Sequence, residues 1–349
     1  MVWPFTSPAA ARPALGLALQ GGGAHGAYTW GVLDALLETG RFRFTAISGT
    51  SAGAMNALAL ADGWMRGGAE GAREALAAFW GAVGGKLPFE QWLVGPTESP
   101  GLAPGLRALM HWTRLFSPYQ LNPLGLNPLR EVLAAQIDFE RLRRRGAPRL
   151  LIAATHANTG RLRLFRNHEL ELDAALASSC LPTLHQAVMI DGEPYWDGGY
   201  SANPALFPLL HEGVADLLIV ALSPLSHENV PISAEEIRSR ALEFSFNAGF
   251  LREATLLAEA AAEARRSAFA IGRLERRLRA LRLHLIDAHD DLGTLAAETR
   301  LIAHRPFLER LRDLGRARAQ RWLDQHGARI GRASSVDLAA RFAPPGGTA

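Results

Sequence analysis

Residues 17–36 read LALQGGGAHGAYTWGVLDAL. An apolar strand-like run passes through a glycine cluster into a helical pattern, and that order opens an α/β unit. Gly21, Gly23 and Gly26 satisfy G-x-G-x-x-G, the spacing that sets a dinucleotide pyrophosphate on a helix N-terminus. The same loop, taken as Gly21-Gly22-Gly23, offers backbone N–H groups to a smaller anion, such as the oxyanion formed when an ester is attacked.

The next strand chooses between these readings. A dinucleotide fold needs an Asp or Glu at the end of that strand, roughly 20 residues beyond the glycines. Residues 44–60 read FTAISGTSAGAMNALAL and carry no acid there. They carry Gly49-Thr50-Ser51-Ala52-Gly53, a G-x-S-x-G between strand and helix. A sharp strand-to-helix turn lifts a serine above the sheet, and small neighbours permit the strained backbone. The helix that follows, from Ala52 to about Ala61, aims its N-terminal dipole at Ser51.

Serine is nearly unreactive at neutral pH without a base held in place. A candidate stands at Trp196-Asp197-Gly198-Gly199-Tyr200, reached after the hairpin-like MIDGEPYWDGGY of residues 189–200. The two glycines let the chain turn tightly and aim the Asp197 carboxylate inward. An ordinary turn aspartate is the competing reading, and Asp191-Gly192 is an example of one. Among the histidines, His185 in CLPTLHQAV is the best alternative base, but it sits in no motif that marks it as one.

Strand candidates at 15–19, 44–48, 150–155, 162–165 and 217–222 alternate with helical stretches, the mark of a largely parallel sheet. A helix over 27–38 puts Trp30, Leu33 and Leu37 on one face. Residues 79–128, rich in Pro, Gly and aromatics, read as an insertion over the domain, and Phe79 to Tyr119 as an apolar cover over Ser51. Whether Trp80, Trp92 and Trp112 face lipid or fill a small core of their own stays open. Beyond residue 226 helical patterns dominate, with one late strand at 283–286. Residues 261–282 read as an amphipathic basic helix, its apolar stripe docked on the domain or its arginines set against anionic lipid.

The G-G-G-x-x-G loop, the G-T-S-A-G elbow and the distant D-G-G, in that order, resemble the patatin-like phospholipases. The resemblance spans residues 13–225 and implies a three-layer α/β/α domain with a mainly parallel sheet, and the helical patterns beyond it read as a C-terminal extension over 226–349. It implies an acyl hydrolase that cleaves carboxylic esters of lipids with Ser51 as nucleophile and Asp197 as base. It also implies an oxyanion hole from the backbone around Gly21, Gly22, Gly23 and Ala52. The family commonly has Arg or Lys where this chain has His25, a partial cation near neutral pH that supports the oxyanion less. Neutral-lipid or polyester hydrolysis by the same dyad, and a non-catalytic lipid-binding module, are the alternatives.

Composition bounds the remaining classes. The 349 residues, 48% hydrophobic and 20% charged, suffice for a large core. A net charge of +3, carried almost wholly by arginine with Lys86 the sole lysine, is too weak to argue for nucleic acid. Cys180 stands alone, so no intrachain disulfide forms. The N-terminus MVWPFTSPAAARP lacks the marks of a signal peptide, and the expectation is a cytoplasmic protein whose membrane contact is peripheral. The chemistry needs no cofactor and no metal. His289 with Asp287, Asp290 and Asp291 reads as a solvated turn rather than a metal site.

Overall fold

The computed structural model describes residues 12–85, 112, 115–227, 229–267, 269, 271–337 and 340–341. Along the chain run β1 (Ala14–Leu19), α1 (Gly26–Glu38), β2 (Arg43–Thr50), α2 (Ala52–Gly84), α3 (Pro128–Gln136), α4 (Phe139–Arg143), β3 (Arg149–His156) and β4 (Leu162–Arg166). They are followed by α5 (Leu172–Ser178), β5 (Val188–Ile190), β6 (Glu193–Asp197), β7 (Asp216–Ala221), α6 (Ala234–Arg266), α7 (Arg273–Ala280), β8 (Arg282–Asp287) and α8 (Arg305–His326).

One sheet runs β5-β6-β3-β2-β1-β7-β8, with β4 also on β3. The five strands from β3 to β8 in that order are parallel, whereas β4 and β6 run antiparallel to β3. Strand residues alternate between two buried faces. Leu15, Leu17, Leu19, Leu218 and Val220 meet the layer containing α1, α2 and α8, while Ala18, Leu217 and Ile219 meet the layer containing α6. Burial on both faces explains the near-continuous apolar runs of β1, β3 and β7. The architecture is a three-layer α/β/α sandwich with a helical C-terminal region.

That C-terminal region is built into the sandwich. β8 extends the sheet beside β7, and Arg282 grips Asp216 across the pair with Nε–Oδ1 at 2.8 Å and Nη2–Oδ2 at 2.6 Å. Burial would raise the Asp216 pKa, but Arg282, His284 and the Gly331 N–H hold it well below the usual carboxylate range. On the other face α6 starts with a Ser233–Glu236 capping box. It buries Phe250, Ala254, Leu257, Ala258 and Ala261, a stripe at 3 and 4 spacing. Fully buried Phe250 contributes about 1.5–3 kcal/mol by leaving water. Helix α8 lies so close to α1 that a Cβ on Gly31 would strike the Arg312 carbonyl, and one on Gly315 the Tyr28 carbonyl. Helix α1 is therefore buried all round rather than on one face.

Three expectations change. Helix α2 continues to Gly84 through a break at Gly67-Gly68, so Phe79 and Trp80 are buried core residues of a helix and not the start of a cover. Phe89 and Trp92 lie outside the described residues, while Trp112, Phe116 and Tyr119 are exposed. Residues 261–282 are not one helix: α6 ends at Arg266, α7 begins at Arg273, and β8 begins at Arg282. The 3–4 periodicity ran on across the break, leaving Ile271 and Leu274 exposed, and beyond α6 only Leu281 of that apolar stripe is fully buried among the described residues. The acids near His289 form a clamp, since Asp291 accepts from Tyr28 at 2.7 Å and from Arg318 at 2.9 Å, and Asp290 from Arg318 at 2.9 Å. Among the described residues no helix is long and apolar enough to cross a membrane.

Candidate active site

Ser51 follows the last residue of β2 and precedes the first turn of α2, at φ 53° and ψ −123°. Among the described residues only Ser51 and Asp191 are non-glycine at positive φ. Asp191 and Gly192 make the two-residue turn between β5 and β6, where left-handed backbone is required. At Ser51 no hairpin demands it, and such a conformation costs about 1–3 kcal/mol unless the surroundings impose it. They do. Gly53 lies so close to β1 that a Cβ there would strike the Leu19 carbonyl, and the Ser51 N–H donates to Ser178 Oγ at 3.1 Å. Asn56, one turn along α2, donates to the Gly26 carbonyl at 2.9 Å and accepts from Trp80 Nε1 at 2.9 Å.

The sheet register explains why Asp197 arrives beside Ser51. On one edge of β3, Thr50 of β2 pairs with Ala153, and Asp197 of β6 pairs with the next residue, Ala154. Both belong to the edge opposite β4, which pairs across Leu151–Thr155. A parallel strand and an antiparallel strand thus end head to head along β3, and their terminal residues meet. Thr155 Oγ1 donates to the Asp197 carbonyl at 2.8 Å, and the Asp197 N–H to the Cys180 carbonyl at 2.8 Å, fixing the backbone.

The Asp197 carboxylate is fully buried. Oδ1 accepts the Gly199 N–H at 2.8 Å, and Oδ2 has no partner of good geometry among the described residues. Burial pushes the pKa up to about 7, partly opposed by the Gly199 N–H and by the Ser51 hydroxyl. The hydroxyl therefore lies within electrostatic reach of the carboxylate without being aligned into a complete bond. Neighbouring Cys180 is pushed up to about 11 by burial, and burial raises Tyr200 too, so both stay neutral when Asp197 ionises. Phe246 of α6 fills the space a Cβ on Gly199 would need, packing the turn from the far side.

The glycine loop is held by a buried amide network. Gln20 Oε1 accepts the N–H groups of Leu222 at 2.6 Å and Ser223 at 2.8 Å, and its Nε2 donates to Asn247 Oδ1 at 3.0 Å. The Gly21 N–H donates to Asn203 Oδ1 at 2.7 Å. Of the loop glycines expected to serve an oxyanion, Gly21 therefore has its donor already committed, although a Cβ on it would sit 2.8 Å from Ser51 Cβ. The N–H groups of Gly22 and Gly23 meet no acceptor among the described residues. Ala52 stands in the first turn of α2, where helical N–H groups lack internal partners.

His25 is a second correction. It is 3% exposed, and burial, with Arg300 nearby, drives its pKa down to about 3. Its Nε2 lies 2.8 Å from Thr299 Oγ1, whose own hydrogen goes to the Ala296 carbonyl at 2.7 Å. The Thr299 oxygen must then accept, which puts a proton on His25 Nε2, and burial keeps the ring neutral. It brings no positive charge to the loop. His185 is also held toward the neutral form by burial.

Residues 17–210 match the family described as patatin-like phospholipase. The chain belongs to that family. Patatin-like phospholipases are generally lipid acyl hydrolases. Among solved structures, the chain is similar to VipD from Legionella pneumophila, with 16% identity and a TM-score of 0.40 over 90% of this chain and 67% of that one. No curated protein matches.

In this patatin-like chain, sequence reading overlooked Gln20, Asn203, Asn247, Ser178, Thr299 and Arg300. Gln20 abuts the glycines and Asn203 follows the D-G-G turn closely, so proximity to the motifs was a usable signal. Asn247, Thr299 and Arg300 carry none, because their helices and turns reach the loop only through tertiary packing.

Proposed function

We propose that this chain is a serine acyl hydrolase acting on carboxylic esters of lipids, with Ser51 as nucleophile and Asp197 as its base. The observation that carries the reading is the meeting of two strand ends along β3, which sets a strained serine beside a buried carboxylate with one oxygen open.

Asp197 Oδ2 takes the Ser51 proton as Oγ bonds to the ester carbonyl carbon, whose π pair moves onto oxygen. The N–H groups of Gly22, Gly23 and Ala52 stabilise that oxyanion, each donor worth roughly 3–4 kcal/mol. Collapse of the intermediate breaks the bond to the alcohol, which leaves with the proton from Asp197. Water then attacks the acyl-serine while Asp197 accepts its proton, and release of the fatty acid restores Ser51. A carboxylate raised to about 7 suits these exchanges, being about half ionised at neutral pH yet far more basic than an exposed one.

Contact with lipid is supported by an exposed apolar run. Leu115, Phe116, Tyr119, Leu121, Leu124 and Leu126 all face outward. Gln186 Nε2 donates to the Asn122 carbonyl at 2.7 Å, and the Ala187 N–H to Tyr119 Oη at 3.3 Å, joining this run to the segment that leads into β5 and β6.

A fluorophosphonate probe tests the reading. It should form one adduct, on Ser51, and none in Ser51→Ala. An adduct on any other serine would make this the wrong nucleophile.

A further inference from the structure

We infer that Ser178 is a positioning residue for the reaction: its hydroxyl oxygen holds the backbone of Ser51, and the turn it begins sets Ser51 against Asp197. The inference rests on the hydrolase reading of those two residues and adds a third to it.

Ser178 is the last residue of α5 and is fully buried. A serine at a helix end commonly turns its hydroxyl back to a carbonyl three or four residues earlier. Ser179 does so, donating to the Leu176 carbonyl at 3.3 Å. Ser178 does not. Its Oγ reaches out of the helix and accepts the Ser51 N–H at 3.1 Å, the one hydrogen bond it makes among the described residues. The acceptor matters because Ser51 sits at φ 53°, a backbone that relaxes unless its surroundings hold it. The close packing of Gly53 on β1 fixes the chain after Ser51, whereas Ser178 fixes the N–H of Ser51 itself.

The same turn holds Asp197. Two residues after Ser178, the Cys180 carbonyl accepts the Asp197 N–H at 2.8 Å, so the two anchors are at most about 7.6 Å apart at their Cα atoms. The turn between them is fixed from within. The N–H groups of Ser179 and Cys180 donate to the Leu176 and Ala177 carbonyls at 3.1 and 3.2 Å, and Cys180 Sγ donates to the Gln186 carbonyl at 3.0 Å. Leu176 and Ala177 are buried in the core that also holds α1 and α2. Strand register along β3 brings Ser51 and Asp197 to the same place, and residues 178–180 tie their backbones to one rigid mount. The competing account is that Ser178 merely satisfies a donor that would otherwise be left unpaired. On that account its loss costs stability and leaves the chemistry alone.

Ser178→Ala separates the two on a soluble acyl ester, assayed well below the melting temperature. With the acceptor gone, kcat should fall about ten- to a hundredfold, the scale of a displacement near 1 Å. KM and the pH midpoint, which reports Asp197, should stay where they are. The rate of fluorophosphonate labelling at Ser51 should fall by the same factor as kcat, because it needs the same nucleophile geometry. Ser178→Thr keeps the hydroxyl and should recover most of the rate. Ser178→Cys keeps the volume but offers sulfur, a weak acceptor, and should lose as much as Ser178→Ala. Because cysteine fills the site, that variant reports on the acceptor even where the alanine variant is too unstable to assay. A lowered melting temperature with kcat and labelling unchanged would overturn the proposal and leave Ser178 a packing residue. Full rate in Ser178→Cys would overturn it as well, since the position would then need volume and not an acceptor. No Ser51 adduct in the wild type would sink the hydrolase reading and this inference with it; equal labelling rates in wild type and Ser178→Ala would sink the inference alone.

Discussion

Two regions of this molecule meet around the glycine loop and the Asp197 turn and contribute different things. The stretch from β1 to β7 carries Ser51 and Asp197, the proposed nucleophile and base, each at a strand end and each announced by glycines. The stretch from α6 to α8 carries no such motif, yet it touches the glycine loop and the turn after Asp197. Phe246 packs the turn after Asp197, Asn247 holds Gln20 beneath the loop, Thr299 fixes His25, and the Arg300 carbonyl fills the space over Gly23. The lesson is that a strained serine and a buried carboxylate need a shell as closely fitted as themselves. Here the second region provides much of it.

Replacing Ser51 by glycine should separate the two contributions most sharply. Activity should fall by at least about a thousandfold, because the proposed nucleophile is gone. Thermal stability should rise, since glycine adopts φ 53° without the penalty serine carries. A fall in melting temperature would mean that the backbone there is not strained by its surroundings.

A smaller effect is expected from the second region's grip on the loop. Gly23→Ala pushes a methyl group into the Arg300 carbonyl at a left-handed φ. Turnover should drop about a hundredfold through displaced oxyanion donors, measured as kcat on a soluble ester, while fluorophosphonate still finds Ser51. Unchanged kcat would show that the C-terminal turn does not position the loop.

Smaller again is a stability effect at Asp197. A carboxyl raised to about 7 in the folded protein holds its proton more tightly than in the unfolded chain, whose pKa is near 3.8. Stability is therefore fully present at low pH and is lost as pH rises through about 7. Asp197→Asn removes this penalty and keeps an acceptor for the Gly199 N–H. Its melting temperature should exceed that of the wild type by more at pH 8 than at pH 5, with a ceiling of about 4 kcal/mol. An equal difference at both pH values would mean that Asp197 is not held at a raised pKa.

The contrast between the regions is also the contrast in what the sequence discloses. Tight turns need glycine, and strand ends that approach one another need small neighbours, so Gly49, Gly53, Gly198 and Gly199 mark Ser51 and Asp197 openly. The sheet was equally readable, because strands buried on both faces are apolar throughout. Arg300 was not. It is one arginine in a chain whose positive charge is almost all arginine, and it reaches the loop because β8 returns the chain to β7, a pairing no local pattern specifies. Residues 261–282 misled for a related reason: apolar residues at 3 and 4 spacing persisted through a break that Gly272 alone marks. Phe79 and Trp80 misled because glycines at 67 and 68 interrupt helix α2 without ending it.

The most direct measurement of the Ser51–Asp197 chemistry is the pH dependence of kcat/KM on a soluble acyl ester. It should climb about tenfold per pH unit below 7 and level off above it, following ionisation of Asp197 at about 7, and Asp197→Asn should abolish turnover across the range. A profile that levels off near pH 5, or one that survives in Asp197→Asn and vanishes in His185→Ala, would contradict a carboxylate base.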